Sequence, residues 1–299
     1  MTDKEKVLIT GANQGIGLHT ALLMAKNCNF EITLACRDEK RARGAMQQLK
    51  KENANVQVQW MEVDLAQLDS VRDMVKLIQK RKIFFDIVIL NAGVLLPKTE
   101  KTEDGNEHTF QVNFLAQFLL IDGIIGHQCP AKAIRVVTLT SLLYRFCGKI
   151  IPVKKDPSQW GPMFDGARRW KAYALSKFAM ALLAQHLNSR EGVKAFTVHP
   201  GTVKTQMAEA VGSKTFRKCL FFLKCILIKP EIAAENVLFC VHNDMGPNEY
   251  RYANRVKKLS VLACNKNNAD ALIRLALQMT APSSVHPSVA LPCGGQSMN

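Results

Sequence analysis

The sequence predicts an α/β fold, a doubly wound parallel sheet in a single domain, and three observations carry that expectation. Over roughly the first two hundred residues, short β-rich apolar runs alternate with longer helical periods. The strand candidates are apolar almost throughout, as strands covered on both faces are. No Pro/Gly/Ser-rich linker divides the chain.

The elements follow in order. Val7-Leu-Ile-Thr10 is the first strand, and residues 16–26 form the helix after it. Glu31-Ile-Thr-Leu-Ala-Cys36 and Val56-Gln-Val-Gln-Trp-Met-Glu-Val63 are strands two and three, followed by helices over 38–51 and 68–80. Asp86-Ile-Val-Ile-Leu90, Ile134-Arg-Val-Val-Thr-Leu139 and Ala195-Phe-Thr-Val-His199 supply strands four to six, with helices over 105–125 and 169–188 between them. Two segments break the alternation. Residues 144–171, with Pro152, Pro157, Gly161, Pro162 and Gly166, read as a loop. Residues 205–229 are amphipathic and basic around a Phe/Leu-rich core. The domain is placed at residues 1–280, and 281–299, rich in Pro, Ser and Gly, reads as a disordered tail.

Composition narrows the class. Nine cysteines, an odd count without regular spacing, argue against a secreted disulfide framework and fit reduced thiols in the cytoplasm. Cys240 and His242, with Cys219 and Cys225, do not match a zinc spacing, so no metal is expected. The first apolar run, at Val7, is too short for a signal or a spanning helix, and the run from Cys219 to Ile228 is broken by Lys224. The formal charge of +15 favours anionic ligands. It is spread along the chain and accompanies no patterned nucleic-acid motif, so no nucleic-acid partner is expected.

The turn after strand one, Thr10-Gly-Ala-Asn-Gln-Gly-Ile-Gly17, has the composition of a pyrophosphate cradle: Gly11, Asn13, Gly15, Ile16 and Gly17 bring backbone close to phosphate at a helix N-terminus. Enzymes for the unphosphorylated dinucleotide place a carboxylate at the end of strand two. Here Cys36 and Arg37 stand there, followed by Lys40 and Arg41, and a guanidinium suits a 2′-phosphate, so NADP(H) is the expected cofactor. The alternative is an Arg37 that is only exposed. Asp64, with Leu65 beside it, is placed either to accept from an adenine amino group or to cap the next helix. Asn91, Ala92 and Gly93 end strand four with small residues that let backbone approach a ribose.

Tyr173 and Lys177 fall four apart in a helical period and share a face. A phenol with a pKa of about 10 is a poor acid–base group at neutrality, and a neighbouring ammonium favours the phenolate and lowers that value. Ser141, ending strand five in Thr138-Leu-Thr-Ser141, can bond a reacting oxygen, and Asn113, inside a helix, can hold a water connecting Lys177 to solvent. Thr140 is the bland neighbour of Ser141. Pro200, Gly201, Val203 and Thr205 are expected to brace the nicotinamide end. His199 reads as structural or pocket-lining; Trp160 and Trp170 either touch substrate or pin the insertion down.

Together the TGxxxGIG turn, the NAG triplet, the helical asparagine, the strand-five serine, YxxSK and PGxVxT resemble the short-chain dehydrogenase/reductase family over roughly residues 5–280. Within it, GANQGIG, LACR and the run Ala-Phe-Thr-Val-His-Pro-Gly look like the retinol dehydrogenase-like branch. The resemblance implies a Rossmann-type fold and an NADP(H)-dependent oxidoreductase acting on an apolar carbonyl or its alcohol, such as a retinoid, steroid or lipid aldehyde. It implies Tyr173 as proton donor and acceptor, Lys177 as its pKa modulator and ribose ligand, Ser141 as orienter of the substrate oxygen and Asn113 as relay residue. The chain departs from the family pattern in the 32-residue Ser141–Tyr173 separation, in Thr-Leu-Thr-Ser at strand five, and in a start that reads as lacking the membrane anchor of retinol-active members. The rival expectation is a cofactor-bound regulator or scaffold with the same fold. Residues 144–171 and 205–229 are expected to form the substrate mouth, and the basic apolar segment 214–229 either rests on an acidic membrane surface or packs inward with a solvated basic face. A homodimer is left open.

Overall fold

In a computed structural model, the residues described are 4–27, 29–96, 100–128, 133–149, 169–201 and 228–282. They build one eight-stranded sheet in the order β3-β2-β1-β4-β5-β6-β7-β8, parallel except for the final antiparallel β7–β8 pair. β1 (Glu5–Thr10), β2 (Phe30–Cys36), β3 (Gln57–Glu62), β4 (Ile87–Leu90), β5 (Ile134–Leu139) and β6 (Val193–His199) alternate with α1 (Gly15–Ala25), α2 (Glu39–Glu52), α3 (Leu68–Lys80), α4 (His108–His127) and α5 (Arg169–Leu187). Beyond β6 come α6 (Pro230–His242), β7 (Glu249–Tyr252), β8 (Arg255–Lys258) and α7 (Lys266–Met279).

The central strands are apolar on both faces because both faces are covered. Along β1, Val7 and Ile9 join a core layer with Met24 of α1 and Val237 of α6, while Leu8 joins the opposite layer with Leu68 of α3, Phe114 of α4 and Phe178 of α5. The strand order reverses at β1, which has β2 on one side and β4 on the other. Chains leaving the carboxyl ends of β1 and β4 therefore diverge, and this opens the crevice in which doubly wound sheets bind ligands.

Several boundaries differ from the expectation. β1 starts two residues before Val7 because Glu5 and Lys6 pair with Phe30 and Glu31, a backbone ladder that outlasts the apolar run. α4 begins at His108, where Glu107 accepts from the Phe110 amide at 2.6 Å, after a bridge from Lys101 to Glu107. The expected loop over 144–171 is helical at both described ends: Leu142–Lys149 forms 3-10 turns and α5 starts at Arg169. The cause at the first end is Tyr144, which is fully buried edge-on against Tyr250 with ring centroids 5.9 Å apart. The rest of that segment, nearly all of 205–229, and the tail from residue 283 lie outside the described residues.

α4 is long and apolar enough to cross a membrane by length and composition, yet 72% of its apolar window is buried against the rest of the fold. Its second turn, Gln111–Leu115, is a π-turn. Such a turn inserts one residue into the helical ladder and is frequent where a helix must present a particular group.

Candidate active site

The glycine turn is shaped for close approach. Gly11 and Gly15 have φ of +64° and +57°, which only glycine adopts without strain. A Cβ on Gly17 would sit 2.5 Å from Asn91 Nδ2 and 2.7 Å from Gly11 O, so the turn closes only without a side chain there. α1 opens at Gln14 with no side-chain cap, whereas Asp38 caps α2 by accepting from the Arg41 amide. The first amides of α1 thus face the crevice mouth, a donor set that fits a pyrophosphate.

Asn91 fixes this turn to β4. Its Nδ2 donates to Thr10 O at 2.8 Å and to Gly11 O at 3.3 Å, while the Asn91 and Ala92 amides both donate to Thr10 Oγ1 at 2.9 Å. Asn13 and Ile16 lie in the turn and at the start of α1. At the strand-two end, Cys36 is buried and burial pushes its thiol up to about 11. Arg37 is exposed and pairs with Asp64 at 3.6 Å. The other Asp64 oxygen accepts from the Ala66 amide at 2.9 Å, so the carboxylate also turns the chain toward α3, and Leu65 beside it is buried. Arg41 reaches back to donate to Gln14 Oε1 at 3.3 Å, bringing a second guanidinium beside the glycine turn.

The candidate proton-handling residues Ser141, Tyr173 and Lys177 meet at the carboxyl end of β5. Tyr173 and Lys177 lie on one face of α5 with the ammonium 5.8 Å from the phenol ring centroid, and the Tyr173 hydroxyl is hydrogen-bonded to Ser141. Lys177 is buried and donates to Leu139 O at 3.2 Å. Burial pushes the Tyr173 phenol above its ordinary value, with the Ser141 hydrogen bond pulling the other way. Burial also brings the Lys177 ammonium down to about 8. The net direction for the phenol is thus upward, where the sequence-based expectation had it lowered: burial outweighs the Ser141 hydrogen bond.

Asn113 sits in the π-turn of α4, fully buried. Its Oδ1 accepts from the Val94 amide at 2.7 Å, and its Nδ2 donates to Val94 O and to Ser176 Oγ, each at 3.0 Å. Ser176 in turn donates to Tyr173 O at 2.8 Å. Gly93 leaves room for this convergence, since a Cβ there would lie 3.2 Å from Lys177 Nζ and 3.3 Å from Asn113 Oδ1.

Two residues that the motif reading passed over take part. Thr140 Oγ1 donates to Lys177 O at 2.7 Å and its amide donates to Val198 O at 2.8 Å, which locks the strand end carrying Ser141 against α5 and β6. Ser176 was hidden as the unremarked serine of YxxSK; its spacing of three from Tyr173 was the available signal. His199 is buried at the end of β6 and held neutral, its imidazolium pushed down to about 4 by burial, and its ring packs 5.1 Å from Tyr252. Pro200 and Gly201 follow, Gly201 with φ of +106° and its Cα pressed toward Ile228, whose Cδ1 would lie 2.4 Å from an added Cβ. Val203, Thr205 and Trp160 fall outside the described residues, and Trp170 is 37% exposed at the start of α5. Cys240 is a buried thiol pushed up to about 12, and among the described residues no cluster of three metal-ligating side chains occurs.

Comparison with known proteins agrees with this geometry. The pattern of the short chain dehydrogenase family matches residues 5–215. Retinol dehydrogenase 13 of Homo sapiens is 33% identical over 238 residues, 77% of this chain and 69% of that protein. Retinol dehydrogenase 12 of Mus musculus is 30% identical over 281 residues, 91% of this chain and 85% of that protein. Coverage of such relatives falls as low as 48% of their length, in a WW domain-containing oxidoreductase of Gallus gallus. Among solved structures, an alcohol dehydrogenase from the archaeon Thermococcus sibiricus, complexed with 5-hydroxy-NADP, superposes with a TM-score of 0.61 at 21% identity, over 84% of this chain and 95% of its own, and shares the fold. A glycine cradle at the sheet's reversal point, a Ser–Tyr–Lys cluster around the buried Lys177 and these likenesses converge: the chain belongs to the short chain dehydrogenase family, whose members are oxidoreductases that use nicotinamide cofactors.

Proposed function

We propose that this protein is an NADP(H)-dependent oxidoreductase interconverting an apolar aldehyde or ketone and its alcohol. The observation that carries the reading is the hydrogen bond between Ser141 and Tyr173, with Lys177 on the same helical face as Tyr173. The glycine turn and the crevice would hold a nicotinamide nucleotide, which would supply the hydride. Ser141 holds the substrate oxygen, and Tyr173, whose burial keeps it protonated at neutral pH, gives its proton to that oxygen as negative charge develops there. Lys177 supplies positive charge beside the phenol, and Asn113 fixes the backbone of Val94 at the rim of the crevice. In the oxidative direction the same groups run in reverse.

NADP(H) rather than NAD(H) is supported by Arg37 and Arg41, which bring guanidinium groups beside the glycine turn, and by the lack of a strand-two carboxylate at Cys36. The apolar substrate class is supported by relatives named retinol dehydrogenase and by the Phe/Leu-rich segment 216–223. A cytoplasmic setting, with peripheral contact to an acidic membrane as an addition, is supported by the free thiols of Cys36, Cys240 and Cys264 and by the +15 charge. The decisive experiment is a turnover screen over retinal, steroid ketones, and short and long aldehydes with NADPH and NADH, repeated with Tyr173→Phe. Loss of turnover in the variant with cofactor affinity retained supports the reading. Turnover surviving in Tyr173→Phe sinks the mechanism. NADPH binding with no oxidation across the panel favours a regulatory or scaffold protein of the same fold.

A further inference from the structure

Gln117 stands one helical turn beyond Asn113 in α4, among apolar residues and fully buried. An amide in such a place costs desolvation unless every polar atom finds a partner. Here each does. Thr10 Oγ1 accepts from the Asn91 and Ala92 amides and donates to Gln117 Oε1 at 2.9 Å, closer than its other acceptor, Ile89 O at 3.4 Å. Gln117 Nε2 donates to Ala92 O at 2.8 Å and to Asn113 O at 3.1 Å. Both of those partners are carbonyls and the third is a hydroxyl proton, so only one orientation of the amide satisfies the set.

The partners belong to three different parts of the site. Thr10 ends β1 and opens the glycine turn, Ala92 leaves β4 in the crevice wall, and Asn113 is the centre of the π-turn. From Asn113 the chain of bonds continues through Ser176 to the backbone of Tyr173. We propose that Gln117 is a positioning residue that sets the cofactor turn and the Tyr173 helix in register through Thr10 on one side and Asn113 on the other. The inference rests on the reading that the crevice holds a nicotinamide nucleotide. Without Gln117 the Asn113 carbonyl would lose its side-chain donor and the Thr10 hydroxyl would keep only the longer contact to Ile89 O at 3.4 Å, so one side chain bears on both ends.

The test uses the full chain with Gln117→Met, which keeps length and removes the hydrogen bonds, and Gln117→Glu, which keeps an acceptor for Thr10 and removes both donors. NADPH and NADH titrations come first, on the wild type. If neither binds, the nucleotide reading fails independently of Gln117. If one binds, Gln117→Met is expected to weaken it about tenfold and to lower kcat for a carbonyl that the wild type reduces by about tenfold or more, with KM for that carbonyl nearly unchanged. Gln117→Glu is expected to keep more of the nucleotide affinity while sharing the loss in kcat, because the two effects run through different atoms. Thr10→Val is expected to reproduce the affinity loss of Gln117→Met, and the double variant to lose less affinity than the two single losses combined. A lower melting temperature with kcat and nucleotide affinity unchanged, measured well below melting, would reduce Gln117 to a structural role and overturn the proposal. Should Gln117→Met not fold, Gln117→Glu and Thr10→Val decide it alone: nucleotide affinity and kcat both unmoved in these two overturns it equally.

Discussion

At the scale of single residues, the site is built against the stability of the fold. Lys177 is held in dry surroundings that bring its ammonium from an ordinary 10.5 to about 8. The folded state therefore binds fewer protons than the unfolded chain between about pH 8 and 10.5, so the Lys177 contribution to stability rises with pH across that window and the full penalty applies below it. The shift corresponds to about 3 kcal/mol. Lys177→Met removes the buried charge at the loss of one donor to Leu139 O, worth about 1 kcal/mol, so the variant should be about 2 kcal/mol more stable at pH 7 and should lose turnover. Urea unfolding at pH 7 and pH 10 checks the sign: the gap between wild type and variant must narrow at the higher pH. A gap that widens would mean that Lys177 is not penalised by burial. The same titration bears on catalysis, since loss of the ammonium above about pH 8 should slow carbonyl reduction in the pH–rate profile while Tyr173, pushed up by burial, is still protonated.

At the scale of elements, the helices that position the site meet through small residues. Gly123 of α4 faces Val75 of α3, and a Cβ there would lie 2.6 Å from Val75 Cγ1. Gly123→Ala must push the two helices apart, and a loss of about 1–3 kcal/mol is expected. It should appear as a drop in melting temperature of several degrees. A variant as stable as the wild type would show that α3 shifts freely. β1, β2, β4, β5 and β6 were legible because burial on both faces writes itself as near-continuous apolar runs, β3 because its β-rich residues alternate with Gln57 and Gln59, the helices α1 to α5 by their longer periods, and the glycine turn because φ above zero demands glycine at Gly11 and Gly15. What lies past β6 was not. β8, Arg255-Val-Lys-Lys258, is exposed at every position and has no apolar period to read, as suits a charged sheet edge. α6 did carry a signal, Pro230 at its first helical turn, which went unused. The candidate catalytic cluster was legible as residue types at fixed spacings. Its supports were not, because Thr140 and Gln117 bond backbone atoms far along the chain and Ser176 accepts from the distant Asn113, and those partners are named only by the fold. The direction of the Tyr173 shift differs from the expectation for the same reason: spacing gives the neighbour, and only the fold gives how dry the neighbourhood is.

For the whole molecule, the proposed preference for NADP(H) rests on the charge of +15 and the exposed Arg37. The net field attracts any dinucleotide, and it discriminates between phosphorylated and unphosphorylated forms only through the added charge of the 2′-phosphate. Arg37 is 68% exposed and already pairs with Asp64 at 3.6 Å, so a phosphate must compete with that carboxylate, and the interaction is open to solvent screening. The preference for NADPH over NADH should therefore be greatest at low salt and shrink as ionic strength rises from about 0.05 M to about 0.5 M, where the screening length falls below the reach of exposed charges. Arg37→Asp removes the guanidinium and adds a carboxylate, and should invert the preference at low salt while leaving NADH binding within a few-fold of wild type. Thermal shift with each cofactor gives an independent measure, since a ligand at about a hundred times its Kd stabilises by about 2.7 kcal/mol. If Arg37→Asp keeps the wild-type ratio of NADPH to NADH affinity at low salt, the guanidinium at the end of β2 is a surface ion pair with Asp64 and discrimination lies elsewhere, with Arg41 beside Gln14 the next group to change.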